Sequence, residues 1–141
     1  MLRPSLSEII KKASEKKTKQ EKIAFLQEND SQQLRQILQW TFDSRIQWTL
    51  PEGAPPYKPC PHLDQESMLY QECRRLYLFV QGGPPMAPLK RENLFIGILE
   101  AVHPDDAKLL LAMKEKKLPY SGLTPKIINE AFPELIYEQV S

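Results

Sequence analysis

Proline decides where this chain can be helical. It occurs thirteen times in 141 residues, and nine of these fall within 51–61, within 84–88 and at 104. Inside a helix, proline removes a backbone hydrogen bond and clashes with the preceding turn, so helices must fit between these positions. The stretch from Pro51 to Pro61 holds five prolines in eleven residues. Only polyproline-like or turned backbone satisfies that density. Elsewhere proline marks boundaries. Pro104 follows His103 and Pro125 follows Thr124, and the first helical position has no needed N–H to lose. Pro119 and Pro133 stand where helical patterns stop.

The densest apolar clustering lies between Leu89 and Leu135. Leu94, Phe95, Ile98, Leu99 and Val102 recur on one helical face. Gly97 interrupts that helix at a cost of about 1 kcal/mol relative to Ala, which predicts a close helix–helix approach through its missing side chain. Asp105 and Asp106 fall in the first turn of the next helix. Lys114, Lys116 and Lys117 fall in its last, so each group complements the helix dipole. Ile127, Ile128, Ala131 and Phe132 form a third, shorter face.

Upstream, Ser5 with Glu8 and Thr18 with Glu21 have capping-box spacing. Ser31 precedes the stripe Leu34, Ile37, Leu38, Thr41 and Phe42. Asp64 reads as the cap of a fourth helix with the stripe Leu69, Cys73, Leu76, Tyr77 and Val80, ended by Gly82-Gly83. Tyr70 and Phe79 lie off that stripe, so this helix is buried on more than one side. Residues 45–50 alternate apolar and polar, the pattern of an extended run. Trp48, Tyr57 and Leu63 are placed to pin the proline-rich stretch to the body. The predicted fold is all-α. It is a single domain, 1–141, of six or seven short helices crossed by an extended Pro-rich strap at about residues 44–63. Residues 1–42 form an N-terminal helical layer, and 64–141 form the helical core and tail.

A net charge of +1 argues against a protein that coats nucleic acid. Charge is nevertheless uneven, with seven basic and three acidic side chains in residues 1–22. Lys11, Lys12, Lys16 and Lys17 are therefore candidates for phosphate contact, although a solvated helix face is the commoner use of such a run. Aromatic residues do not interleave them, which disfavours a base-stacking platform. Arg45, Arg74 and Arg75 are a second set of basic candidates.

Four potential zinc ligands exist, Cys60, His62, Cys73 and His103, but their spacing fits no usual structural-zinc pattern. Cys73 lies on an apolar stripe and reads as a core residue. His103 is either a general base or a side chain that caps the adjacent helix. No nucleophile sits in a recognisable strand–turn–helix frame, and no glycine-rich phosphate loop is present. The expectation is a protein that is not an enzyme and needs no cofactor or metal. The first twenty residues carry no apolar core of a secretory signal, and no apolar run of about 18 residues suggests a membrane span. The expected location is a reducing cytoplasm.

Two stretches have apolar groups that need cover. Residues 51–61 serve either as a structural strap or as a peptide ligand for an aromatic groove. After Pro133, the side chains Leu135, Ile136, Tyr137 and Val140 need a surface. They dock on the chain's own body or enter a partner's groove, and the first is the commoner fate of an apolar terminus.

Three blocks carry a resemblance: FDSRIQWTLPEGAPPYKP at 42–59, RRLYLFVQGG at 74–83, and ILEAVHPDDAKLLLAMKEKKLPYSGLTPKIINEAFP at 98–133. In these the chain resembles a small protein family of tailed bacteriophages, including cyanophages, whose function is unknown. The resemblance implies a viral origin and work in the host cell, either in its cytoplasm or as part of the virion. It implies no catalytic residues. The function this suggests is binding to a host or phage protein. A nucleic-acid-associated role through the N-terminal lysines, or a small virion or assembly component, are the alternatives.

Overall fold

Four helix starts form as their capping residues predict. The Ser5, Thr18, Ser31 and Thr124 side-chain oxygens each accept the backbone N–H three residues on, at 3.1, 3.1, 3.0 and 3.3 Å. Pro88, Pro104 and Pro125 each open a helix. The computed structural model describes residues 4–51, 53–59 and 68–136. Among these are seven α-helices: α1 (Leu6–Glu15), α2 (Lys19–Glu28), α3 (Gln32–Phe42), α4 (Met68–Glu72), α5 (Pro88–Ala101), α6 (Pro104–Lys114) and α7 (Pro125–Ala131). A 3-10 helix, Cys73–Phe79, continues α4. The fold class is all-α, and the described residues contain no sheet.

Helix α6 is the centre of the packing. It touches α1, α3 and α5, while α2 packs on α1 and α7. Its Ala107, Leu109, Leu110 and Met113 are fully buried, and so is Asp106. Pairing this central helix with α1 requires a polar link. The Asp106 carboxylate accepts the Ser7 N–H at 2.9 Å, and the Ser7 hydroxyl meets the Tyr120 hydroxyl at 2.7 Å. Ser7 lies in the first turn of α1, so this buried carboxylate faces the positive ends of two helices at once. Asp105, its neighbour, is exposed and has only the local role expected of both.

The predicted extended run is present. Trp48 forms an isolated antiparallel bridge with Val80, supported by Thr49 N–H to the Phe79 carbonyl and Gln81 N–H to the Gln47 carbonyl, both 2.8 Å. Trp48 also packs edge-on against Trp40 and donates its indole N–H to the Trp40 carbonyl. Beyond Pro51 the strap is held by its backbone. Gly53 N–H donates to Glu115 Oε1 at 3.0 Å, Lys58 N–H to Glu100 Oε2 at 2.7 Å, and Lys114 Nζ to the Pro51 carbonyl at 2.8 Å. Tyr57 is half-buried against the core. Leu63 and the Asp64 cap lie outside the described residues.

The C-terminus of α6 binds three parts of the chain together. Lys117 N–H returns to the Ala112 carbonyl and Lys116 N–H to the Met113 carbonyl, closing the helix in a Schellman turn. Lys116 therefore stands at φ +63°, a position that glycine usually fills. Its ammonium explains the exception. It donates to the Trp40, Asp43 and Ile46 carbonyls at 3.0, 2.9 and 3.0 Å, capping the end of α3. The sequence placed Lys114, Lys116 and Lys117 as dipole complements of α6; two of the three instead reach the strap and α3.

Two further expectations are corrected. Gly97 does not mediate a helix contact: it is exposed, and a Cβ placed there would meet nothing within 4 Å. It lies opposite the buried Phe95, Ile98 and Leu99, on the outer side of α5. The fourth helix is not one α-helix. After Glu72 it tightens to three residues per turn, so the buried stripe becomes Leu69, Cys73, Leu76 and Phe79, and Tyr77 turns outward to 52% exposure. Tyr70 and Phe79 are buried, as their off-stripe positions implied.

Candidate functional site

The 3-10 winding places an open groove beside α3. Helix α3 buries Leu34, Ile37, Leu38 and Thr41, which leaves Gln32, Gln36 and Gln39 in a row at i, i+4 and i+7 on its flank. Across from them stand Arg74 and Tyr77, with Gln71 farther along. Two adjoining hollows of about 390 and 510 Å³ share Gln32, Gln36, Cys73 and Arg74. Gln36 fixes the floor by donating its Nε2 to the Cys73 carbonyl at 2.9 Å. Behind Tyr77, the chain closes tightly at Gly83, where a Cβ would run into the Tyr77 carbonyl oxygen.

Among the described residues no carboxylate lines the groove. Its two arginines differ. Arg35 is spent: it grips Asp30 bidentately at 2.7 Å, holds that carboxyl below the usual range through these hydrogen bonds, and lies over the Phe132 ring. Arg74 is exposed and has no ion pair among the described residues. Cys73 forms part of the groove wall but is 2% exposed. Burial first, then the Asp106 and Glu72 charges, pushes its thiol up to about 12. A nucleophilic thiolate is not available there at neutral pH.

The lysines singled out in the sequence, Lys11, Lys12, Lys16 and Lys17, are exposed on α1 and the turn after it, and two of the four have partners within the chain. Lys12 pairs with Glu8 at 3.0 Å, and the Lys16 ammonium lies 4.8 Å over the Phe25 ring. Their neighbours Lys19 and Lys22 tie α2 to Glu130 and to the Gly122 carbonyl. Lys11 borders a polar hollow with Glu8, Asp105 and His103. His103 caps α6, its Nδ1 accepting the Asp105 N–H at 3.1 Å.

The tail docks on its own body as far as the structure describes it. Ile136 is 5% exposed, and its N–H and carbonyl pair with the Asn129 side chain at 2.8 and 3.0 Å. Leu135 packs against the core. Tyr137 and Val140 lie outside the described residues, as do Cys60 and His62. No cluster of three potential metal ligands occurs among the described residues, and no described helix is long and apolar enough to cross a membrane.

Tyr77 is the groove residue that helical periodicity misplaced. A signal existed: Cys73, Leu76 and Phe79 repeat at three residues, the 3-10 period, and that register puts Tyr77 outside. The glutamine row was visible as spacing but carries no chemistry alone.

These features define an all-helical domain with a strap and, among the described residues, an open amide-lined groove. The chain belongs to a family of unknown function (DUF6433), whose model matches residues 9–120. That span runs from within α1 past α6 and includes the groove, the strap and Lys116. No curated protein matches the chain.

Proposed function

We propose that this protein is non-catalytic and acts by binding another protein, with the α3 groove as the contact surface. The observation that carries this is the contrast in polar groups. Asp106, Lys114, Lys116 and His103 all serve the fold, whereas Arg74, Gln32 and the ring of Tyr77 face solvent together. Exposed aromatic and arginine side chains are the types enriched at protein interfaces. The sequence blocks that resemble tailed-phage proteins suggest a phage accessory protein whose partner belongs to the host or phage machinery inside the infected cell. A nucleic-acid role through α1 is weaker, because Lys12 and Lys16 already have partners within the chain.

The test is tagged chain expressed in infected cells, purified and compared with the Arg74→Glu/Tyr77→Ala double variant. One partner protein should be retained by the natural sequence through washes of rising salt and lost by the variant. Capture that collapses with salt and nuclease treatment would move the assignment to nucleic acid.

A further inference from the structure

The groove's chemistry specifies its occupant more narrowly. We infer that it takes an extended peptide segment of the partner, with one acidic side chain anchored on Arg74. This rests on the protein-binding function proposed above.

The amide row supplies the first reason. Each glutamine amide offers two donors and an acceptor, which suits a main chain that alternates N–H and C=O. It suits a phosphate backbone poorly, since that only accepts. Spacing agrees. One helical turn-plus from Gln32 to Gln36 rises about 6 Å, and an extended strand repeats a same-facing group about every 6.6 Å. Gln32 to Gln39 spans about 10.5 Å, room for three or four extended residues. Gln36 is already held by the Cys73 carbonyl, so part of the row is preorganised.

Charge supplies the second. Arg35 is neutralised by Asp30, so Arg74 is the one uncompensated cation among the described lining residues. A single uncompensated cation, with no carboxylate among the described lining residues, matches one carboxylate, through bidentate pairing. It does not match a polyanion, whose binding draws on several phosphate contacts at once. Tyr77, at 52% exposure, and half-buried Trp40 then flank the path as apolar faces for neighbouring side chains.

The experiment selects a random peptide display library on the immobilised full chain. Recovered peptides should be enriched in Asp or Glu at one position. A synthetic copy of the most enriched peptide, labelled and titrated by fluorescence anisotropy, should lose at least about tenfold in affinity with Arg74→Glu, a change of one decade in Kd. It should lose several-fold with Gln32→Ala/Gln39→Ala and with Tyr77→Ala. Circular dichroism establishes that each variant is folded; should Arg74→Glu fail to fold, Arg74→Gln carries the same expectation. No enrichment over matrix without protein, enriched peptides that lack an acid, or binding unaffected by the Arg74 variants would each overturn the inference. An oligothymidylate bound at ~150 mM salt and released by Arg74→Glu would reassign the groove to single strands. Salt-resistant capture of a partner from cells that survives the groove variants would leave protein binding standing and remove only the peptide groove. Absence of any captured partner would remove the function itself.

Discussion

Helix α3 has two ends of very different character. At its C-terminus the Trp40 and Asp43 carbonyls and the following Ile46 carbonyl converge on the Lys116 ammonium. Along its flank Gln32, Gln36 and Gln39 look into an open groove. One helix thus carries a polar site closed by the fold and another left open to solvent. A half-buried ammonium with three carbonyls is fully used, and its residue type says nothing about function. Gln32, Gln39 and Arg74, for which no such partner exists among the described residues, are where a ligand's hydrogen bonds are still to be made.

Substitutions should separate the two kinds of site, and the buried staple should respond most. Asp106→Ala leaves the Ser7 N–H without its acceptor between two helices and should destabilise by about 3 kcal/mol in urea denaturation. The exposed neighbour provides the control, since Asp105→Ala should cost no more than about 0.5 kcal/mol. Equal effects would show that the two aspartates share a dipole role after all.

Lys116 comes next. Lys116→Met should cost about 2 kcal/mol, because three carbonyls at the end of α3 lose a charged donor. Lys116→Gly is the sharper version. Glycine relieves the positive φ, worth about 1 kcal/mol, yet the variant should still be less stable than the natural protein. A more stable glycine variant would mean that the ammonium contributes little. By contrast, Gln39→Ala or Arg74→Gln in the groove should stay within about 0.5 kcal/mol, and a larger loss would reclassify the groove as structural.

Gly97 should move stability the other way. Nothing within 4 Å would meet a Cβ there, so Gly97→Ala should raise stability by about 0.5–1 kcal/mol through helix propensity. A loss on thermal unfolding would restore the close approach that the sequence suggested.

The smallest effect is pH-linked. Hydrogen bonds from Lys114 and from Gly53 N–H hold the Glu115 carboxyl below its ordinary 4.5. Its folded value is therefore lower than its unfolded one. The stabilisation it gives is fully present above about 4.5 and fades as pH falls through the folded value. Amide exchange at Gly53 should accelerate, relative to its intrinsic rate, below that window while α3 and α6 stay protected. An unchanged protection factor would show that the strap is held by its apolar contacts alone.

Much of this was legible before any coordinates. The caps at Ser5, Thr18, Ser31 and Thr124 bond to their neighbours three residues on. Prolines at 104 and 125 open helices because the first helical position tolerates them, whereas Pro88, which reads as part of a constrained loop, also opens one. The caps and the first two of these prolines act within a few residues, so spacing alone reveals them. The alternating run at 45–50, with Trp48 inside it, was also recognisable, though not its pairing with Val80. The groove was mostly hidden. Its row of glutamines is regular in sequence, but its other wall depends on how the chain after Glu72 winds. Four buried positions, Leu69, Cys73, Leu76 and Phe79, satisfy both an α and a 3-10 path approximately, and packing against α3 and α5 selects the tighter one.

What the sequence by itself determined is therefore the helical class, the starts of α1, α2, α3, α6 and α7, the extended run and most of the apolar stripes. All follow from backbone sterics, local hydrogen bonding and periodicity. Only the tertiary structure decided which charges are consumed and which remain. Asp105 and Asp106 are indistinguishable in the sequence, and so are Lys116 and Lys117. One of each pair is drawn inward because a distant helix end, α1 for Asp106 and α3 for Lys116, presents unsatisfied backbone groups that a buried fold must pair. That requirement arises only when segments far apart in the chain meet, so no local pattern could reveal it.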